Sequence, residues 1–311
     1  MTEINKICDY LKQNDDFLIL MHGSPDGDAI GSAYALCRAL RAMGKKADCD
    51  CCDPIPHRFS FLTEGVEKIG HTPLHVLTVD VADAKLLGKL REVYGEQIEV
   101  AIDHHASNVG YAPLSYVVGD AAAACEVVYD IIRLLGVEID RKIAECLFTG
   151  LATDTGCFKF SSVTAKTHRV AADLIEYGID AGEINRIMFD TKSFARLDLE
   201  RKVLESIELH NDGKVAVVGL SLEMQSNVPA EEIEGINALP RQIEGVVVGI
   251  TIREKEPGRF KASVRSYHPI DASAICRKLG GGGHIRAAGC ELKMPYNKAK
   301  EAILAAVREE L

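Results

Sequence analysis

The chain has 311 residues, 47% of them apolar and 26% charged, with a net charge of −10, which allows two domains that each bury a core. The negative balance excludes a protein that grips long duplex nucleic acid through many phosphates, since that requires a basic stripe. No apolar run approaches the roughly 20 residues that span a bilayer, no secretion-signal pattern opens the sequence, and ten scattered cysteines suit reduced thiols in a cytoplasm.

The first half alternates strands and helices. DFLIL (16–20) reads as a short buried strand, and AIGSAYALCRALRAMG (29–44) has apolar residues at helical spacing up to a stop at Gly44. KADCDCC (46–52), HVLTVDV (75–81) and IEVAIDHH (98–105) read as strands, with a helix over 82–95 between the last two. This rhythm predicts an α/β fold with a mostly parallel sheet and flanking helices. Helices follow at about 121–135, 139–153, 164–178, 180–190 and 194–210. Beyond residue 211 the texture changes: NDGKVAVVGLSLE, EGVVVGITIRE and RFKASVRSY read as strands, accompanied by helices at about 229–240, 271–279 and 297–310. The expected organisation is a first domain over 1–193, a linker helix over 194–211 and a smaller α/β domain over 212–311.

Four segments carry ligand-type side chains just past a predicted strand or helix. They are His22, Asp26 and Asp28; Asp80; Asp103, His104 and His105; and Asp154. In open α/β sheets, ligands bind outside the carboxyl ends of the strands, so these residues converge if the strands are parallel. Imidazole with several carboxylates and no thiolate suits Mn²⁺ or a similar divalent ion better than structural zinc. Five carboxylates and three histidines exceed the needs of one centre, and clustered carboxylates repel one another unless cations hold them. Two ions about 3.5–4 Å apart activate water and stabilise a leaving oxygen in phosphoryl hydrolysis. Each piece has an alternative: Asp26 as a helix cap, Asp80 and Asp154 as turn residues, His104 and His105 as packed or solvated histidines. It is their recurrence at four element ends that favours a site.

In the second half, KLGGGGHIRAAG (278–289) places four glycines after a helix. Backbone without side chains approaches a ligand closely and can cradle an anion, although a flexible turn is the alternative. No Lys-Ser/Thr follows, so it is not a P-loop. Cys49 and Cys52, His57, His71, His75, His168, His210 and His268 lack matching partners and are read as packed or surface residues, and Lys159 is read as a phosphate contact or a surface lysine. REKEPGR (253–259) is read as a hairpin turning at Pro257-Gly258.

Together HGSPDGDAIGS (22–32), Val79-Asp80, Asp103-His104-His105, TDTG (153–156) and GGGGH (280–284) resemble the DHH phosphoesterase superfamily with its DHHA1 domain. They are most similar to its branch of bifunctional oligoribonucleases and pAp phosphatases, often called nanoRNases. The resemblance implies a DHH catalytic domain with two divalent cations, expected to be Mn²⁺. His22, Asp26 and Asp80 would hold one; Asp28, Asp80, His104 and Asp154 the other, with Asp80 bridging. His105 would lie beside the reacting phosphate and Asp103 would orient the histidines. In the DHHA1 domain Arg265, Gly281, Gly282, Gly283 and His284 would hold the far end of the substrate, with Arg286 a further candidate.

The activity this implies is hydrolysis of short RNA or DNA oligonucleotides and of 3′-phosphoadenosine 5′-phosphate. No membrane partner is expected, and a homodimer is compatible. The rivals are a soluble phosphodiesterase for cyclic dinucleotides or pApA, a family II inorganic pyrophosphatase, a processive single-strand exonuclease, and a nucleotide-binding module without catalysis.

Overall fold

The computed structural model describes residues 2–233 and 235–311, in two units, Met1–Thr191 and Lys192–Leu311. In the first, helix α1 (Glu3–Gln13) leads into strand β1 (Phe17–Leu20), α2 (Gly27–Ala42) and β2 (Ala47–Asp50). The short α3 (Ser60–Thr63) precedes β3 (His75–Val79), and α4 (Leu90–Tyr94) precedes β4 (Ile98–Asp103) and β5 (Leu114–Val117). Helices α5 (Ala124–Leu135), α6 (Arg141–Asp154), α7 (Ala165–Glu176) and α8 (Ala181–Asn185) follow.

The five strands form one sheet in the order β2-β1-β3-β4-β5, with every pair parallel as the sequence rhythm predicts. Phe17 and Ile19 enter the large core that includes residues of α1, α2, α5 and α6, while Leu18 and Leu20 enter a smaller core on the opposite face. A strand covered on both faces reads as an unbroken apolar run, and FLIL is one.

Helix α2 is fixed at both ends. Asp26 Oδ1 accepts the backbone N–H groups of Asp28 and Ala29, both at 3.0 Å. Gly44, at φ +79°, closes the other end: its N–H meets the Arg41 carbonyl and the Lys45 N–H meets that of Leu40. Glycines also set how closely α2 meets α6. A Cβ on Gly31 would lie 2.4 Å from the Cys146 carbonyl oxygen, and one on Gly150 would lie 2.9 Å from Asp28 Oδ1. The close approach brings the start of α2 beside the end of α6.

In the second unit α9 (Phe194–Glu205) precedes β6 (Glu208–His210) and β7 (Val215–Leu220). Short helices α10 (Leu222–Gln225) and α11 (Ala230–Ile233) lead to β8 (Val248–Glu256), β9 (Arg259–Ser266) and α12 (Ala272–Arg277). Strands β10 (Gly282–His284) and β11 (Ala287–Lys293) and helix α13 (Tyr296–Arg308) complete the chain. The sheet order is β10-β11-β9-β8-β7-β6, mixed because β7 and β8 alone run parallel. Strand side chains alternate: Ile250, Ile252, Phe260, Ala262 and Val264 face the core that α12 and α13 cover, while Val218 and Leu220 join Leu199 and Val203 of α9 on the other face.

Four expectations need correction. The helix expected over 82–95 is broken into a 3₁₀ turn (Ala84–Leu87) and α4, because Gly88 takes φ +57° between them. The helix expected over 180–190 is α8 followed by a π-helical turn, Arg186–Asp190. That over 229–240 is α11 and a 3₁₀ segment, Ile236–Gln242, which contains Pro240 and follows Gly235 at φ +83°. Residues 194–211 are not one linker helix: α9 ends at Glu205, β6 pairs with β7, and α9 packs on the second unit's sheet. The Pro257-Gly258 turn joins β8 to β9 as expected, with Gly258 at φ +74°. Among the described residues no helix is long and apolar enough to cross a membrane.

Candidate metal centre

Parallel pairing puts the carboxyl ends of β1, β3 and β4 along one edge of the first sheet, and the ligand-type residues follow those ends. His22 lies two residues beyond β1, Asp80 immediately follows β3, and Asp103 ends β4 ahead of His104 and His105. Asp28 is in the first turn of α2, and Asp154 is the last residue of α6. Asp80 stands at φ +60°, a left-handed conformation that aspartate tolerates better than most side chains.

These residues form three overlapping groups with ligand atoms mutually within 4.8 Å: His22, Asp26 and Asp80; Asp28, His104 and Asp154; and Asp80, His104 and His105. His104 Nε2 is 3.5 Å from Asp80 Oδ1, 3.5 Å from Asp154 Oδ2 and 3.7 Å from Asp28 Oδ2. His22 Nε2 is 3.7 Å from Asp80 Oδ2 and 3.9 Å from Asp26 Oδ1. Asp26 therefore combines two readings that the sequence left as alternatives, capping α2 while its carboxylate lies in one of the three groups that could hold an ion.

The surrounding hydrogen bonds set the imidazoles. His22 Nδ1 lies 2.8 Å from the Gly23 carbonyl and His104 Nδ1 3.2 Å from that of Ala121. A carbonyl only accepts, so both protons belong on Nδ1 and both Nε2 lone pairs turn to the carboxylates. Asp28 is held by the N–H groups of Ala124 at 2.6 Å and Cys125 at 2.9 Å, at the start of α5. Asp103 takes His105 Nδ1 at 2.8 Å on Oδ1 and Asn108 Nδ2 at 2.7 Å on Oδ2.

The electrostatics separate two kinds of acid. Burial alone would raise the Asp103 carboxyl, but hydrogen bonds from His105 and Asn108 outweigh it and hold it below its ordinary value. The same contact with Asp103 raises His105. Asp80 is pushed well up, first by burial and then by Asp28, Asp26, Asp154 and Asp103. Burial also raises Asp28, and burial with Asp28 and Asp26 pushes Asp154 up to about 8. Asp80 Oδ1 is buried and accepts no hydrogen bond. A buried carboxylate oxygen without a donor is costly, and a cation is the simplest partner for one flanked by two imidazoles. The donor set fits divalent ions.

A pH dependence follows. Raised carboxyls stay protonated in the folded chain after the unfolded chain, with carboxyls near the ordinary value of about 4, has released those protons. Their stabilising effect is complete below that value and is lost as pH rises through the folded pKa, about 8 for Asp154. Metal-free protein should therefore melt at progressively lower temperature from about pH 5 to pH 9, and divalent ions should restore the loss. Each pKa unit is worth about 1.4 kcal/mol, roughly 2–4 °C for a unit of this size. Scanning calorimetry with and without added cations checks this; a Tm indifferent to both would refute it.

The second unit holds a basic pocket of about 450 Å³, lined among others by Arg253, Lys255, Lys261, Arg265, Gly282 and Gly283. The register pairs Arg253 with Lys261 and Gly249 with Arg265, so these cations share the sheet face opposite the α12/α13 core. Arg265 has no carboxylate partner among the described residues, and burial, together with neighbouring Arg241, lowers its pKa. The sequence reading found Arg265 but not Arg253, Lys255 or Lys261, although the alternation in RFKASVRS carries the signal. Gly281 has a packing reason to be glycine, since a Cβ there would lie 2.2 Å from the Gly289 carbonyl oxygen. His284 is exposed on β10. Arg286 donates to the carbonyl of Ile270 at 2.5 Å, which ties down a loop. Asn108, which holds Asp103, was also missed.

Among residues set aside, His75 pairs with Glu99 at 2.8 Å and His168 stacks on Phe158.

A parallel sheet with acidic and imidazole side chains beyond its strands, followed by a mixed-sheet unit with a basic pocket, is the class of molecule that family comparison identifies. Residues 16–151 match the model of the DHH family, N-terminal domain, and residues 212–311 that of the DHHA1 domain. The chain belongs to the DHH family. It is 38% identical to the bifunctional oligoribonuclease and PAP phosphatase NrnA of Thermus thermophilus over 94% of this chain and 89% of that protein. It is 26% identical to the protein of the same description from Bacillus subtilis, over 89% of this chain and 90% of that one. Among solved structures, an exopolyphosphatase-related protein from Bacteroides fragilis shares the fold at a TM-score of 0.91 and 23% identity, covering 99% of this chain and 96% of that one. RecJ of Thermus thermophilus in complex with Mn²⁺ gives 0.57 at 16% identity, over 99% of this chain and 55% of that one.

Proposed function

We propose that the chain is a metal-dependent phosphoesterase that hydrolyses short oligonucleotides to mononucleotides and converts 3′-phosphoadenosine 5′-phosphate to AMP. The observation that carries this reading is the buried, undonated Asp80 Oδ1 with His104 and His105 each 3.5 Å away. The names of the two relatives supply the substrate class.

His22, Asp26 and Asp80 would hold one divalent ion, and Asp28, Asp80, His104 and Asp154 the other, with Asp80 shared. The ions supply, when bound, an activated water and neutralisation of charge on phosphoryl oxygens. Mn²⁺ is the ion of choice, on the mixture of imidazole and carboxylate. Asp103 orients His105 through the 2.8 Å contact with Nδ1 and favours its imidazolium form, which would donate to a phosphate oxygen as negative charge develops there. Arg265 and Gly281–Gly283, with His284, take the part of the substrate that does not react; within that pocket Arg265 brings a cation without a carboxylate of its own. Ten cysteines without a disulfide suit a cytoplasmic enzyme.

The test is turnover of RNA 2-mers to 24-mers beside pAp, pApA, cyclic di-AMP and pyrophosphate. With a net charge of −10, the protein has little hold on long strands. The rate should fall steeply beyond a few nucleotides, with pAp cleaved. Equal rates on the 2-mer and the 24-mer would point to an exonuclease channel, and turnover of cyclic di-AMP or pyrophosphate alone would move the assignment to a rival.

A further inference from the structure

A cavity of about 220 Å³ in the first unit opens on the candidate metal centre, because Asp26 and Asp154 form part of its wall. Those two residues belong to different ligand groups, so the cavity adjoins both. Its remaining wall is of another character, with Phe59, Met188 and Phe189 supplying the apolar surface and Arg58 the cation. Ligand pockets for drug-sized molecules run to about 300–1,000 Å³. This one is smaller, with room for a single flat ring system rather than for two nucleotides.

The wall is built with care. Phe59 is fully buried and its ring lies 4.8 Å from the Arg58 guanidinium carbon. Met188 and Phe189 stand on the π-helical turn Arg186–Asp190, half-buried against the first unit's core. A π-turn is rare and is frequently found at functional sites. Here the turn is braced: both the N–H and the hydroxyl of Thr191 donate to the Arg186 carbonyl at 2.9 Å, and the Arg186 guanidinium donates to Glu183 at 2.7 Å. Half-buried Phe189 and Met188, backed by buried Phe59, offer an aromatic face and a thioether beside Asp26 and Asp154, a wall suited to a base. Every base offers a π face, and methionine adapts to its edge.

We infer that this cavity receives the nucleobase of the nucleotide whose phosphate is cut, with Phe189 as its stacking surface. The inference rests on the phosphoesterase reading and adds to it: the first unit selects a nucleotide rather than any phosphate ester, and does so one nucleotide at a time. Base–aromatic stacking makes Phe189 worth roughly 5- to 150-fold in affinity.

The experiment compares AMP with ribose 5-phosphate by calorimetry on the full chain, and a dinucleotide with its analogue lacking the base at the cleaved end by kcat/KM. The wild type should prefer the base in both assays. Phe189→Leu, which keeps apolar bulk against the core, should erase the preference by bringing the dinucleotide's kcat/KM down towards that of the analogue without the base; Phe189→Tyr should restore it. Melting curves identify a variant that fails to fold, and Phe189→Tyr then decides alone by keeping or losing the preference. A wild type that binds AMP and ribose 5-phosphate equally, or a preference untouched in Phe189→Leu, overturns the inference. AMP preference that depends on Phe189, in a chain that cleaves none of the substrates, would leave the base pocket standing and remove the hydrolase reading instead.

Discussion

Asp80→Asn should lower kcat/KM by about a thousandfold or more. Asp80 is the residue shared by both proposed ion sites, with Oδ2 towards His22 and Oδ1 towards His104 and His105. Ion-mediated charge stabilisation is worth several kcal/mol, and each 1.4 kcal/mol is a factor of ten. The same change should raise the melting temperature of metal-free protein at pH 8, because it removes an acid whose ionisation is opposed in the folded chain by burial and by four other aspartates, and not in the unfolded one. Loss of activity with a gain in stability separates a functional residue from a structural one. Asp83→Ala is the control: its carboxylate is an N-cap for the short turn beginning at Ala84, so turnover should hold. Near-normal activity of Asp80→Asn, or a lower Tm than wild type without metal, would mean that the bridge has been assigned to the wrong aspartate.

Arg265→Ala should weaken kcat/KM on a dinucleotide by roughly 10- to 150-fold, the equivalent of a charge-assisted hydrogen bond of about 1.5–3 kcal/mol. The residue stands in the second unit's basic pocket with Arg253, Lys255 and Lys261, away from every proposed ion ligand in sequence and unit, so metal content should not change. A small chromogenic phosphodiester that makes no use of that pocket should be cleaved almost normally. If it suffers as badly as the dinucleotide, Arg265 acts on the reaction itself or on the fold. How the loss divides between KM and kcat reports whether the grip is uniform or tightens in the transition state.

Much of this was legible because the chemistry sits at element ends. His22, Asp80 and Asp103–His105 stand at the ends of short apolar runs that read as buried strands, and a parallel sheet brings such ends together. Asp154 and Asp28 were legible as ligand types, but their proximity rests on Gly31 and Gly150, whose role appears only where two helices cross. The second unit was harder. Its basic face is written as a period-2 alternation in β9, which the eye reads as a strand without seeing that Arg253 of β8 lands opposite Lys261. Gly88 and Gly235 broke two helices whose apolar spacing was otherwise convincing, since a positive φ between them is a backbone preference that periodicity does not register. The π-turn that presents Phe189 has no sequence period of its own. The six-stranded order, with one parallel pair among antiparallel ones, depends on long-range pairing that no local pattern encodes.

The account stands most directly on the metal centre, and one titration tests it. Protein stripped with chelator and dialysed into metal-free buffer should turn over neither pAp nor a dinucleotide. Mn²⁺ added back in steps should bind to about two ions per chain, as the two-ion arrangement requires, with activity returning as the second site fills. Full turnover by the stripped protein, or activity restored without any ion bound, would contradict the two-cation reading of His22, Asp26, Asp28, Asp80, His104 and Asp154.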